Sequence, residues 1–360
     1  MSELKIAFWN LQNLFDVTVS KIAADLDFTP ANGWDEQALS SKITALAKVI
    51  RSLHEGNGPD LLGICEIENE GVAEKLIAAT GRCDYSLAHI DSPDIRGIDT
   101  SLIYSTEKFE LIEPPNEHLV HLRFPTRDIF EVRLRVRANG EELIVLVNHW
   151  PSRSRGRYET EAYRLTVASH VGRIVDGLLK YGRPEYFDLV DSGEAADVLE
   201  VLNQRWNRNV LLMGDFNDEP FDRSVLEFLR ASKGIDHLEE PIKLSRGGLP
   251  SYKSYSGKRA SLFNCMWSQL ARPDHGTHYF SRGTNTMNTL DQFMVSRALY
   301  FGLQGLQLRR DEDGTPAAWI SKPDVMTTRK GRPRAFDRKT RNGYSDHFPI
   351  EMLVDVVSEM

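Results

Sequence analysis

The run Val210-Leu211-Leu212-Met213-Gly214-Asp215-Phe216-Asn217 closes an apolar stretch with a carboxylate and an amide two residues apart. Strand side chains alternate between faces, so Asp215 and Asn217 would project to one side. They would form a polar pincer at the carboxyl end of a buried strand, where functional groups often sit. Followed by Asp218-Glu219-Pro220, the same residues would equally make an Asp/Asn/Pro turn. Five further segments repeat the form, with a polar group at or beside the edge of an apolar run. They carry Asn10, Glu66, His149, Asp291 and Asp346-His347. Singly, each has a plain alternative: a turn for Asn10, a solvated loop for the acidic run from Glu66 to Glu70, a structural imidazole for His149. Arg153, Arg155 and Arg157 follow His149, as solvated charge or as a basic loop for an anionic substrate.

Strands must carry these groups, and helices must cover the strands. Leu4 to Asn10 and Asp60 to Cys65 read as buried strands. Between them Leu39, Ile43, Leu46, Ile50 and Leu53 form a helical stripe at spacings of four and three, stopped by His54-Glu55-Gly56-Asn57-Gly58-Pro59. Strand, helix, strand implies helices layered over a sheet. Ile129 to Val136 and Leu143 to Asn148 read as further strands, the first with one wet face (Glu131, Arg133, Arg135). Asn139-Gly140 predicts a type I′ turn between them. Helices are expected at 159–180, 195–206 and 221–231, little regular structure at 244–289, and a strand at 289–295. Residues 309–343 are charged and punctuated by Pro and Gly, with seven basic residues from Arg329 to Arg341. They would make a solvated loop or a second basic surface.

Composition bounds the function. The 360 residues are 41% hydrophobic and 27% charged, ordinary for a globular chain. A net charge of -8 and a pI near 5.7 exclude a generally basic protein that coats nucleic acid. They leave room for an enzyme with a locally basic cleft. Three cysteines, Cys65, Cys83 and Cys265, argue against a disulfide framework and fit a reducing compartment. With no signal peptide pattern and no membrane-length apolar run, a soluble cytoplasmic protein without stable membrane association is expected.

Taken jointly and in this order, the six segments resemble the endonuclease/exonuclease/phosphatase superfamily, and most of all its bacterial predicted-nuclease members. The specific parts are Gly214-Asp215-Phe216-Asn217 and Ser345-Asp346-His347, with Glu66-Ile67-Glu68-Asn69, Arg96-Gly97-Ile98-Asp99 and Asn148-His149 in support. The resemblance implies an α+β fold, a four-layer α/β/β/α sandwich of two packed mixed sheets. It implies one domain over 1–360, with insertions near 182–194 and 309–343. It also implies phosphoester hydrolysis dependent on Mg²⁺ or Mn²⁺, most directly by a nuclease acting on DNA or RNA. The alternative is a phosphatase or phosphodiesterase acting on a small-molecule or lipid-headgroup phosphate. A catalytically dead scaffold would have lost site residues, and the main positions are all present.

By the same resemblance, Glu66 is a metal ligand, Asn10 supports it or binds the metal through water, and Asp346 approaches the same ion. Asp215 orients or deprotonates the attacking water, and Asn217 holds that water or a phosphate oxygen. His347, paired with Asp291, neutralises the phosphate, and His149 hydrogen-bonds a phosphoryl oxygen or serves the leaving group. Asp99 falls where the family places a substrate-side residue. Arg153 is a phosphate contact by its position just past His149. Gln292 departs from the aromatic or His frequent there and is read as a supporting residue.

Overall fold

Alternation along the strands decides the layering. In Ser2–Leu14, the side chains of Leu4, Ile6 and Phe8 enter one core while Ala7, Trp9 and Leu11 enter another. In Glu142–His149, Leu143, Val145 and Val147 join the first core, and Ile144 and Leu146 a third. Val210–Asp215 repeats the split, with Leu211 and Met213 inward and Val210 and Leu212 outward. The first core lies between two sheets, and the other two lie under helices. The protein is therefore α+β, with two packed mixed sheets each covered by helices. This is a computed structural model, and it describes residues 2–18, 27–238, 240–245, 248–280 and 285–357.

One sheet runs in the order Leu306–Leu308, Ile350–Val356, Ser2–Leu14, Leu61–Ile67, Asp99–Ser105, Tyr85–His89. The other runs Ala231–Ser232, Leu262–Asn264, Asp291–Val295, Val210–Asp215, Glu142–His149, Ile129–Val136, Phe109–Leu111. Each has a parallel pair at its centre flanked by antiparallel neighbours: Ser2–Leu14 with Leu61–Ile67, and Glu142–His149 with Val210–Asp215. Both parallel pairs need crossovers, and helices supply them. Glu36–Gly56 covers the first sheet with Leu39, Ile43, Leu46, Ile50 and Leu53. Its N-cap Asp35 accepts from Ala38 N at 2.8 Å, and helical dihedrals end at Leu53, ahead of the predicted breaker. Glu161–Leu179, Arg183–Ser192 and Ala195–Trp206 cover the second sheet. Among the described residues no helix is long and apolar enough to cross a membrane.

Three local expectations change. Residues 137–140 link Val136 to Glu141 as a four-residue loop, and only Gly140 takes positive φ (81°), so the turn is not type I′. The helix expected at 221–231 shrinks to a single π turn, Ser224–Phe228. Residues 309–343 are not a free loop: Ala318–Ile320 pairs with Ile350–Val356, and Phe336 N donates to Gln12 Oε1 at 2.8 Å. The expected 182–194 insertion holds the Arg183–Ser192 helix. Residues 246, 247 and 281–284 of the expected loop region lie outside the described residues.

Gly214 shows how tightly the central strands approach. A Cβ there would overlap the Asn148 carbonyl of the neighbouring strand. Gly214→Ala is expected to cost about 1–3 kcal/mol, the usual range for overpacking. A urea midpoint equal to wild type would show that the strands can part without cost.

Candidate active site

The same alternation brings the polar strand ends together. Asn10 has the parity of Phe8, His149 of Val147, Asp215 of Met213 and Asp291 of Phe293, and all four apolar residues belong to the inter-sheet core. The polar four therefore project between the sheets, at one end of both. Parallel partners place His149 beside Asp215, and antiparallel partners place Asp291 opposite it. Glu66 would point outward by alternation. It instead takes φ +62° at a bulge between Cys65 and Ile67, so Ile67 packs under the helices and Glu66 turns to the site. Gln12, Asn13 and Asn217 also have left-handed backbones, at φ 54°, 55° and 49°. Such strain in non-glycine residues persists only where surrounding contacts fix it.

Those contacts form one network. Asn10 Nδ2 donates to Glu66 Oε1 at 3.3 Å and to Asp215 Oδ2 at 3.1 Å, bridging the two sheets. Asn13 N donates to Glu66 Oε2 at 2.8 Å. Asn217 N donates to Asp215 Oδ1 at 2.9 Å. His347 Nδ1 lies 2.7 Å from Asp291 Oδ2, while its Nε2 faces Asp215 Oδ2 at 3.8 Å. His149 Nε2 stands 3.7 Å from Glu66 and 3.9 Å from Asp215. Trp9 Nε1 holds the His347 carbonyl, and Ser345 Oγ donates to Asn10 O. The C-terminal Ser345-Asp346-His347 segment is thus tied to the first strand.

Burial pushes the Glu66 carboxyl up, and Asp346 adds to the shift. Burial raises Asp215 as well. For His347, burial alone would lower the pKa, but Asp291 and Asp215 drive it up to about 10, so the ring is cationic. His149 is pushed far down by burial and by Arg127 and Arg96, so it is neutral. Two imidazoles in one cavity therefore hold opposite protonation states. Asp215, Asp291 and His347 offer atoms near enough for a metal, but a protonated ring has no lone pair to give. The carboxylate oxygens of Glu66 and Asp346 suit a hard divalent cation better, whereas Asn10, expected at the same ion, turns its Nδ2 to Glu66 and gives its Oδ1 to Gln12 N, so it braces Glu66 rather than offering an oxygen. That cation would relieve the repulsion that raises Glu66.

The cavity, about 570 Å³, is lined by Glu66, His149, Asp215, Asn217, Asp346 and His347 together with Arg96, Arg127, His278 and Arg332. A family model for the endonuclease/exonuclease/phosphatase family matches residues 5–187 and 190–356. The chain belongs to the endonuclease/exonuclease/phosphatase family. That is a family of divalent-metal-dependent phosphoester hydrolases. No curated protein matches the chain. Similar solved structures include an endonuclease/exonuclease/phosphatase family protein of Bacteroides thetaiotaomicron, 14% identical, TM-score 0.53, covering 98% of this chain and 95% of that one. A mannosyl-6-phosphatase of the same organism is 15% identical, TM-score 0.53, covering 98% and 99%. D. rerio TDP2 complexed with a single-strand DNA product is 12% identical, TM-score 0.51, covering 99% and 100%. At these identities the likeness establishes the shared fold.

Two expected site residues stand apart from the cavity's chemistry. Asp99 does not line it: its carboxylate accepts from Ser92 N at 2.8 Å and lies 3.8 Å from His89 Nε2. The Arg96–Asp99 loop contributes Arg96 instead, whose Nη2 donates to Asn13 Oδ1 at 2.6 Å. Arg153 does line the cavity, but its Nη2 is committed to Asp218 and Asp222 at 2.9 and 2.6 Å, and its Nε donates to Asn217 O at 2.5 Å. It braces the turn that carries Asn217. Gln292, fully buried, donates to Asp218 O at 2.6 Å and supports the same turn. Family members' motif segments gave no warning of Arg127, held by Asp94 at 3.0 Å, or of His278, whose ring centroid is 4.5 Å from that of His347. Arg127 had a legible signal. It lies two residues before Ile129–Val136, a strand antiparallel to the one ending at His149, which brings it to the same sheet end.

Proposed function

We propose that the protein is a Mg²⁺- or Mn²⁺-dependent phosphodiesterase acting on DNA or RNA. The observation that supports this most is the Asn10 bridge, which fixes Glu66 and Asp215 together at the cavity floor with the His347–Asp291 pair against Asp215. Glu66 would hold the metal, with Asp346 beside it and Asn10 bracing the Glu66 carboxylate. When bound, the ion supplies Lewis-acid neutralisation of phosphate charge. Asp215 aims and deprotonates the attacking water, with Asn217 at its side. The His347 imidazolium, fixed by Asp291, balances charge growing on the phosphoryl oxygens. Neutral His149 donates a hydrogen bond to one of those oxygens. Arg96, Arg127 and Arg332 on the walls favour a polyanion. The three free cysteines fit a cytoplasmic, reducing setting.

A second reading is a phosphatase for a small phosphate ester. Thr328, Arg332, Pro333 and Ala335 close one side of the cavity, and its volume is in the range of small-ligand sites. Plasmid, single-stranded DNA and RNA are to be incubated with the protein and Mg²⁺ or Mn²⁺, beside a panel of sugar phosphates. Cleavage of polynucleotide that a chelator abolishes and higher salt weakens steeply is expected. A folded protein that cuts none of them with either metal, yet releases phosphate from small esters, selects the second reading.

A further inference from the structure

Lys42 sits outside every motif above, on the helix layer behind the first sheet, and is 1% exposed. A buried ammonium is costly unless its protons are used. Its Nζ donates to the Gln12 carbonyl and, at 3.3 Å, to the Asn13 carbonyl. The Trp34 and Phe336 rings flank it, with centroids 5.7 and 5.3 Å away. Its partners are therefore two carbonyls and two aromatic faces.

Those two carbonyls belong to the irregular segment between Asn10 and Leu14, where strand register shifts. Both residues have left-handed backbones, so their carbonyls leave the ladder and need other donors. The other groups of the same residues reach the site. Gln12 N donates to Asn10 Oδ1 at 2.9 Å, and Asn13 N to Glu66 Oε2 at 2.8 Å. Gln12 Oε1 also accepts from Phe336 N, on the basic segment bordering the cavity. One buried Lys Nζ thus anchors the far side of a bulge whose near side orients Asn10 and Glu66.

We propose that Lys42 is a positioning residue for the metal site, acting through the Gln12–Asn13 bulge to hold Glu66, and the Asn10 amide that braces it, in the cation-binding orientation of the Glu66 carboxylate. This rests on the reading of Glu66 as the metal-holding group. Outer groups that orient ligands typically govern metal affinity by 10–100-fold.

The test is Mn²⁺ titration by calorimetry of wild type, Glu66→Gln, Lys42→Met, Lys42→Gln and Leu46→Ala. Leu46 is a fully buried residue one turn along the same helix and serves as the control for lost packing. Lys42→Met is expected to raise the Mn²⁺ Kd about 10-fold or more, with Leu46→Ala within twofold of wild type at comparable loss of melting temperature. Lys42→Gln keeps a donor without the charge and is expected to fall between wild type and Lys42→Met. It also carries the test if Lys42→Met does not fold. A Lys42 variant that binds Mn²⁺ as wild type does, or that weakens it no more than Leu46→Ala, overturns the inference. Failure of wild type to bind Mn²⁺, or equal binding by Glu66→Gln, would instead overturn the metal-site reading itself.

Discussion

Asp215→Asn is expected to lower kcat by about 10²–10⁴-fold, the range of a lost general base, while the melting temperature stays the same or rises. The side chain is almost wholly buried, accepts from Asn10 and Asn217, and is raised by burial and by Asp291 against the opposing pull of His347. An asparagine keeps the shape and one acceptor oxygen. It removes a charge whose desolvation is unfavourable among neighbouring carboxylates, so the fold loses little. It also removes the carboxylate to which the proposed mechanism assigns the proton of the attacking water. Glu66 remains in the variant, so Mn²⁺ affinity should change by less than about tenfold, well below the effect of removing a ligand itself. Assays at saturating metal, with calorimetry alongside, separate the two roles. Near-normal kcat would remove Asp215 from the chemistry. Activity lost only in proportion to metal affinity would make it a ligand instead.

The legible part of this site is the part that strand parity can encode. Asn10, His149, Asp215 and Asp291 each end or begin an apolar run whose alternate members pack between the sheets, so their convergence follows from period two. Glu66 could be picked out by type, but its direction depends on a bulge with φ +62°, a conformation no local pattern announces. Asp99 shows the limit from the other side. It begins the strand next to Leu61–Ile67, as Asp291 begins the strand next to Val210–Asp215. The two halves are related in topology, and each aspartate faces a histidine, but Asp99 meets His89 of its own sheet and Asp291 meets His347. Arg153 misleads for a different reason: a long side chain can turn away from the residue it follows, and here buried carboxylates capture it. Lys42 and His278 come from a helix face and a three-residue strand, where type carries no hint of address.

The pH profile tests the remaining pair. Asp291→Asn is expected to cut kcat/KM by about 10³–10⁴-fold, as loss of the aspartate behind a working histidine does elsewhere, and to move the alkaline limb toward neutrality. In the wild type the folded His347 pKa, about 10, lies above the unfolded value near 6.5. The pair's stabilisation is thus complete below pH 6.5 and disappears as pH rises through about 10. Removing the Asp291 charge takes away the largest of the attractions that hold the proton, leaving Asp215 at 3.8 Å and the Asp346 charge. The variant should be less stable than wild type by a few kcal/mol at pH 6, roughly the cost of breaking a buried pair. The gap should narrow toward pH 10, where the wild type also releases its proton. Urea denaturation at both pH values measures the gap, and kcat/KM from pH 5 to 10 measures the limb. Both must move for His347 to work as an imidazolium. A stability gap that stays constant with pH, beside an unmoved alkaline limb, would mean that Asp291 fixes only the ring's orientation and that the charge on the phosphate is met by the arginine wall.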